Sequence, residues 1–271
     1  MIEKRYLSGA AVYGDDLDRS AIQRWYAAEQ EGFYSIAQAN GELYEGNSFG
    51  CFHEMNRQLG FSHVADRRFE HCLSLGTADG QELVPIAPQV DRFTAVEPAS
   101  KWWSEEISGV PTTYIRPEID RIPLPDGDVD LAICFGSMHH IPNVTDTINE
   151  LGRVTRSGGV LMLREPICTM GDWTRPRAGL TANERGFPVE WLTATVEAAK
   201  FKIQRRSYCV FPAIPRLAKL LRQPGYGYNS RWLTRFDRIL SKMFSWNLHY
   251  HRDRAYKKVA PSTVQILAVR M

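Results

Sequence analysis

No apolar run in this 271-residue chain approaches the roughly 18 residues that a membrane-spanning helix needs. No apolar stretch follows Met1-Ile2-Glu3-Lys4-Arg5, so no signal peptide is expected and a cytoplasmic protein is. Cysteine is scarce and unpaired in pattern. Cys51, Cys72, Cys134, Cys168 and Cys209 are odd in number and include no C-x-x-C. That argues for free thiols in a reducing compartment and against a disulfide framework or a structural zinc site. Three of them sit in apolar runs and read as small buried hydrophobes. Repeats and low-complexity tracts are absent as well. The chain has 44% hydrophobic and 24% charged residues. It can therefore bury a sizeable core as one medium domain with room for a cap.

Neither sign of charge dominates overall: 33 Lys and Arg stand against 31 Asp and Glu, a net of +2. The distribution is uneven. Residues 212–260 hold eleven Lys or Arg and two Asp, a net of +9, which leaves −7 on the rest.

The first 69 residues read as a lid of short helices. Asp18-Arg19-Ser20 can cap a helix over Ala21 to Gln38 with Ile22, Trp25, Tyr26 and Phe33 on a partial apolar face. Gly41, Gly46, Gly50 and Gly60 then interrupt the chain, and Cys51, His53 and His63 lack the spacing of a metal site. From His71 strands and helices alternate. Strands are expected at Cys72–Leu75, Phe93–Val96, Thr112–Ile115, Val129–Phe135, Val160–Arg164, Phe201–Phe211 and Val264–Val269. Helices are expected from Gln81, over Asn143–Val154 before a Ser157-Gly158-Gly159 turn, and over Pro188–Ala199. The alternation predicts a doubly wound, mostly parallel α/β sheet of seven strands.

Ligands of such sheets bind beyond the carboxyl ends of the strands. The loop there, Leu75-Gly76-Thr77-Ala78-Asp79-Gly80, is not the dinucleotide pattern G-x-G-x-x-G; it fits G-x-G-x-G with Ala78 in the middle. Glu97 ends the next strand, where a carboxylate can accept both hydroxyls of a ribose.

Together with Ala95-Val96-Glu97-Pro98, Ile122-Pro123-Leu124-Pro125-Asp126, Ser137-Met138-His139-His140-Ile141, Glu150-Leu151-Gly152-Arg153-Val154 and Ser157-Gly158-Gly159-Val160, this loop resembles the class I S-adenosylmethionine-dependent methyltransferases, in their small-molecule type 11-like branch. The resemblance covers about residues 70–205. It implies a Rossmann-like domain over 70–211 and 261–271, with 1–69 as the lid and 212–260 as a helical cap inserted between the last two strands. It implies S-adenosylmethionine as cofactor, its methionine part at Ser74, Gly76, Thr77, Ala78, Asp79 and Gly80. Glu97 and Pro98 would meet the ribose, Glu118 the adenine amino group, and Phe135 and Gly136 the underside. The family commonly has an acidic residue where Ser74 stands, a departure that Asp79 can offset.

Transfer to an alcohol oxygen needs a base near neutral pH, and histidine suits that best. His139 is the first candidate, with Glu165 as second base or as orienting partner; no metal is expected. His140 reads as packing inward beside it, and His140, His249 and His251 as lining the acceptor side. In the insertion, Trp232, Phe236, Ile239, Leu240 and Met243 recur at helical spacing, beside a basic stripe of Arg231, Arg235, Arg238 and Lys242. The ordinary reading is an amphipathic helix with a solvated charged face. The functional one is contact with an anionic sugar conjugate, a membrane surface or nucleic acid.

The aromatic-polar stretch Trp246–Arg254 is suited to a carbohydrate, and vaguely resembles the tail of methyltransferases of bacterial polysaccharide synthesis. The expected function is O-methylation of a sugar, glycan or other small-molecule hydroxyl. An RNA methyltransferase and a non-catalytic binder of the cofactor are the rivals. No separate RNA-binding domain and no N-P-P-Y motif support the first of these.

Overall fold

The computed structural model describes residues 2–39, 52–177, 179–223 and 225–271, without the side chains of 30–39. The expectations placed on Cys51, Gly41, Gly46, Gly50 and the side chain of Phe33 lie outside the described residues. Eight strands form one sheet: β1 (Cys72–Leu75), β2 (Phe93–Val96), β3 (Glu106–Ile107), β4 (Val110–Ile115), β5 (Val129–Phe135), β6 (Thr155–Pro166), β7 (Phe201–Cys209) and β8 (Thr263–Arg270). Their order is β3-β4-β2-β1-β5-β6-β8-β7. β4, β2, β1, β5 and β6 are parallel neighbours, whereas β8 runs antiparallel between β6 and β7.

The continuous apolar strands divide their side chains between two cores. Leu73, Ala132, Cys134, Leu161 and Leu163 point into one, and Cys72, Leu131, Ile133, Val160 and Met162 into the other. Both faces of the sheet are therefore covered, as a parallel sheet requires. One covering helix is α4 (Val144–Val154), which buries Val144, Ile148, Leu151 and Val154 along one stripe. Another is α5 (Val189–Ala198). In the N-terminal part lie α1 (Lys4–Ser8), α2 (Arg19–Ala39) and α3 (His53–Leu59). Asp18 caps α2 by accepting from the Ala21 N–H at 2.8 Å.

The structure corrects the sequence reading at four points. The sheet has eight strands, not seven, because the two residues of β3 pair antiparallel with β4. Residues from Gln81 form two 3-10 turns, Gln81–Leu83 and Ala87–Gln89, instead of a helix. Pro85 and Pro88 remove the amide donors that an α-helix would need there. The Ser157-Gly158-Gly159 stretch does not end in a turn before the next strand. It belongs to β6, where the register with β5 shifts between Val129 and Leu131 and Gly158 takes a φ of +76°.

The fourth concerns the insertion. It contains α6 (Ala213–Leu220) and α7 (Arg231–Met243), whose Leu233 packs with Met55 and Leu59 of α3 and with Phe211 and Tyr228 in a third small core. The apolar residues expected to face inward on α7 are largely exposed. The helix buries Leu233, Thr234, Asp237 and Ser241 instead. Asp237 explains the inversion: its carboxylate accepts from the N–H groups of Val210 (3.1 Å) and Phe211 (2.7 Å), which follow β7, and from the Tyr228 hydroxyl.

Burial pushes the Asp237 carboxyl up to about 6, against the pull of the Phe211, Tyr228, Val210 and Ser241 donors. A carboxyl raised on folding opposes the fold when ionised. That cost is present above a pH of about 6 and is relieved as pH falls through it. Asp237→Asn is expected to lose about 1–3 kcal/mol at a pH near 4, where a hydrogen-bonding partner is lost with little charge relief. The gap should narrow at a pH near 8, where the wild type carries its buried charge. Urea unfolding of both proteins at the two pH values measures this.

Candidate active site

At the carboxyl ends of β1, β2, β4 and β5 lies a cleft of about 540 Å³, closed on one side by Gln23, Tyr26 and Glu29 of α2. Its size is that of a small-molecule site, and it sits where the strand order reverses. Ser74, Gly76, Thr77, Ala78, Asp79, Glu97, Pro98, Glu118, Phe135, Gly136 and His140 all line it. Gly80 does not. It is buried behind the loop at a φ of +75°, where a Cβ would stand 2.7 Å from Ile107.

The loop after β1 is built for close approach. Gly76 has a φ of +70°, and a Cβ there would come within 2.2 Å of the Ser137 side chain. Ala78 keeps the left-handed backbone of a glycine position, with a φ of +46°. Glu97 ties this loop to its own strand end. One carboxylate oxygen accepts from the Ala78 N–H and the other from the Ala99 N–H, each at 2.9 Å. Burial raises the Glu97 carboxyl from its ordinary range, and the two amides partly offset this. Glu118 is exposed on the opposite rim, near Ile119. Leu83, Val96, Ile119, Ile133 and Phe135 supply apolar wall.

Beyond β5, a short turn over Met138–His140 carries two histidines into a buried cluster of carboxylates. His139 donates from Nδ1 to Glu165 Oε2 at 2.9 Å. The fully buried Glu165 also accepts from the N–H groups of Ser137 and Met138. Burial alone would raise its carboxyl; His139 and the two amides outweigh that and hold it below the usual value. His140 reaches Glu29 Oε2 at 2.8 Å, and its ring centroid lies 4.3 Å from that of His139. Burial would lower the His140 pKa, but Glu29 and Glu184 raise it overall. His139 and Glu165 do not themselves line the cleft. The His139 ring stands behind its wall, Cε1 being 4.0 Å from where a Gly136 Cβ would be.

Sequence reasoning missed three members of this cluster. Glu29 lies on α2, where its sequence position does not single it out; it also accepts from Thr181 and the Asn183 amide. Glu184 brings Oε2 to 4.0 Å from His139 Nε2. Arg185, fully buried, donates to the carbonyls of Tyr13, His139 and Ile141, and so fixes the turn that presents both histidines. Burial pulls its pKa down to about 10. No local signal marks Glu184 or Arg185, which come from an irregular segment. His139, His140 and Glu184 place one potential ligand atom each within 4.8 Å of one another, an arrangement able to take a divalent cation.

His249 and His251 are not part of the cleft. His249 faces the Asn247 carbonyl, and His251 the Thr169 hydroxyl. Among the described residues, none of 212–260 lines the cleft, so the insertion does not cap it. The free thiols of Cys72, Cys134 and Cys209 are buried, and burial raises all three well above the ordinary range.

Residues 73–163 match the family model described as a methyltransferase domain. No curated protein matches the sequence. Among solved structures, the chain is similar to a possible histamine N-methyltransferase from Thermotoga maritima, at 15% identity and a TM-score of 0.52, over 93% of this chain and 96% of that one. A putative sarcosine dimethylglycine methyltransferase from Galdieria sulphuraria aligns at 14% identity and a TM-score of 0.54, over 81% and 84%. The [4+2]-cyclase SpnF aligns at 16% identity and a TM-score of 0.53, over 80% and 81%. The last is a reminder that this fold hosts more than one chemistry, and that activity has to be argued from the site. By the family match, residues 73–163 are a methyltransferase domain, and the chain is built on the fold of the class I S-adenosylmethionine-dependent methyltransferases.

Proposed function

We propose that this protein binds S-adenosylmethionine in the cleft and methylates an oxygen of a small molecule, with a sugar or glycan hydroxyl as the acceptor class. The observation that carries the reading is the buried Glu97 carboxylate. It is fixed at the cleft wall by the Ala78 and Ala99 amides, opposite apolar surface suited to a nucleoside. The residues present fit the group. Gly76 and Ala78 bring backbone to the cleft wall, and Ser74, Thr77 and Asp79 offer polar atoms to an amino acid end. Glu97 and Pro98 would hold the ribose, Glu118 the adenine, and Phe135 and Gly136 the underside. When bound, the cofactor supplies an electrophilic methyl group on a sulfonium.

The remaining work falls to the protein. His139 keeps its Nδ1 proton on Glu165, which leaves Nε2 as the lone-pair nitrogen; from behind the cleft wall at Gly136 it would take the proton of an acceptor hydroxyl that reaches past that wall. Glu165 then stabilises the imidazolium, as an ionised buried carboxylate can. His140, raised in pKa by its carboxylates, serves better as a cation that holds α2 and Glu29 over the acceptor side than as a base. His249 and His251 have no part in this step.

Calorimetric titration with S-adenosylmethionine and, separately, NADH tests the reading. Micromolar binding of the first alone is expected. Binding of neither ligand would overturn the cofactor assignment. A screen of nucleotide sugars and glycans with a radiolabelled methyl donor then addresses the acceptor. Its expected result is label transferred to a hydroxyl.

A further inference from the structure

Helix α7 has its amphipathicity turned outward. Its protein-facing side is largely polar, with Thr234, Asp237 and Ser241 buried. Its solvent side carries Trp232 (75% exposed), Phe236 (45%), Ile239 (61%) and Met243 (56%), followed by Trp246 (78%) in the next turn. At about 100° per residue, Trp232, Phe236, Ile239 and Met243 fall on one narrow stripe. Arg231, Arg235, Arg238 and Lys242, all exposed, form a second stripe about 100° round the helix from it. The three faces are therefore distinct: one anchored to the fold, one apolar and wet, one basic.

We propose that this face docks the protein on an anionic lipid bilayer, with α7 lying in the plane of the interface. Charge complementarity selects that occupant. The segment carrying the helix has a net charge of +9, and basic side chains beside an exposed apolar stripe match phosphate headgroups above acyl chains. Tryptophans at both ends of the stripe are suited to the headgroup boundary, where an apolar ring can bury its body and keep its N–H wet. A second copy of this chain would set Arg231, Arg235, Arg238 and Lys242 against their own counterparts, like charge on like. A nucleic acid would pair with the basic stripe but leave Ile239 and Met243 in water. Among the described residues no helix is long and apolar enough to cross a membrane, so the attachment lies on the surface. The inference does not depend on the acceptor proposed above.

The test is co-sedimentation of the full chain with vesicles of phosphatidylcholine alone, or of phosphatidylcholine mixed with phosphatidylglycerol, at about 0.1 M salt. Binding to the mixed vesicles at least about tenfold tighter than to the zwitterionic ones is expected, with a blue shift of tryptophan emission. The double variant Trp232→Ser/Phe236→Ser should lose about tenfold or more of that binding. The variant Arg231→Gln/Arg235→Gln/Lys242→Gln should remove the preference for anionic lipid. All five side chains are exposed, so the unfolding temperature should not move, and measuring it guards against a folding defect. No sedimentation with anionic vesicles would overturn the proposal, as would binding indifferent to both variants. A dimer on light scattering that the tryptophan–phenylalanine variant dissociates would assign the face to self-association instead.

Discussion

Replacing Glu97 with alanine is expected to weaken S-adenosylmethionine binding by about 10- to 100-fold. Hydrogen bonds to a charged group contribute about 1.5–3 kcal/mol, and each 1.4 kcal/mol is a factor of ten. The carboxylate does two things at once: it faces the cleft, and it holds the Ala78 and Ala99 amides. Alanine removes both roles and strands two donors. Glu97→Gln separates them, because one amide oxygen can keep one backbone N–H while the charge is gone; a loss of about tenfold is expected there. Calorimetry gives the affinities, and thermal unfolding of the ligand-free proteins shows how much of the effect is loop stability. An unchanged affinity in the alanine variant would remove Glu97 from ribose recognition.

The second large effect is on turnover. General base catalysis by a positioned side chain is worth about 10²–10⁴-fold, and His139→Ala should cost that much while leaving cofactor affinity within about twofold. Glu165 acts through His139, so Glu165→Gln should lower kcat and leave cofactor binding intact; glutamine keeps an acceptor for the Ser137 and Met138 amides but cannot stabilise an imidazolium. Single-turnover transfer from labelled S-adenosylmethionine to an acceptor found by the screen is the measurement. Full activity of the His139 variant would move the proton transfer elsewhere, and would count equally against activation by a cation held between His139, His140 and Glu184.

What could be read beforehand follows physical rules. β1, β2 and β5 were legible because strands buried on both faces are continuous apolar runs between loop residues. β3 was not, since two residues of mixed polarity carry no period. Glycines misled in β6, where Ser157-Gly158-Gly159 lies within the strand at the point where its register with β5 shifts. In the site, the loop after β1 and Glu97 announced themselves by position, whereas Glu29, Glu184 and Arg185 meet His139 and His140 only through tertiary packing. Helix α7 was misread for an instructive reason. Apolar residues at helical spacing ordinarily face the core, but here Asp237 is needed at the end of β7, and the helix turned to supply it.

The placement of β8 bears on how the molecule assembles. Among the described strands, β7 pairs only with β8, and β8 enters between β7 and β6 after the whole of residues 210–262. Until that last strand arrives, β7 has both edges open, and its closure must overcome the entropy of a long loop. Non-local pairing of this kind slows folding and prolongs the exposure of unpaired edges. In the folded protein the small core of Phe211, Tyr228, Leu233 and Met55 holds the intervening segment back beside the end of β7. Lys202, Arg205 and Arg206 guard the strand meanwhile, since a row of positive charge discourages a second chain from adding to its edge.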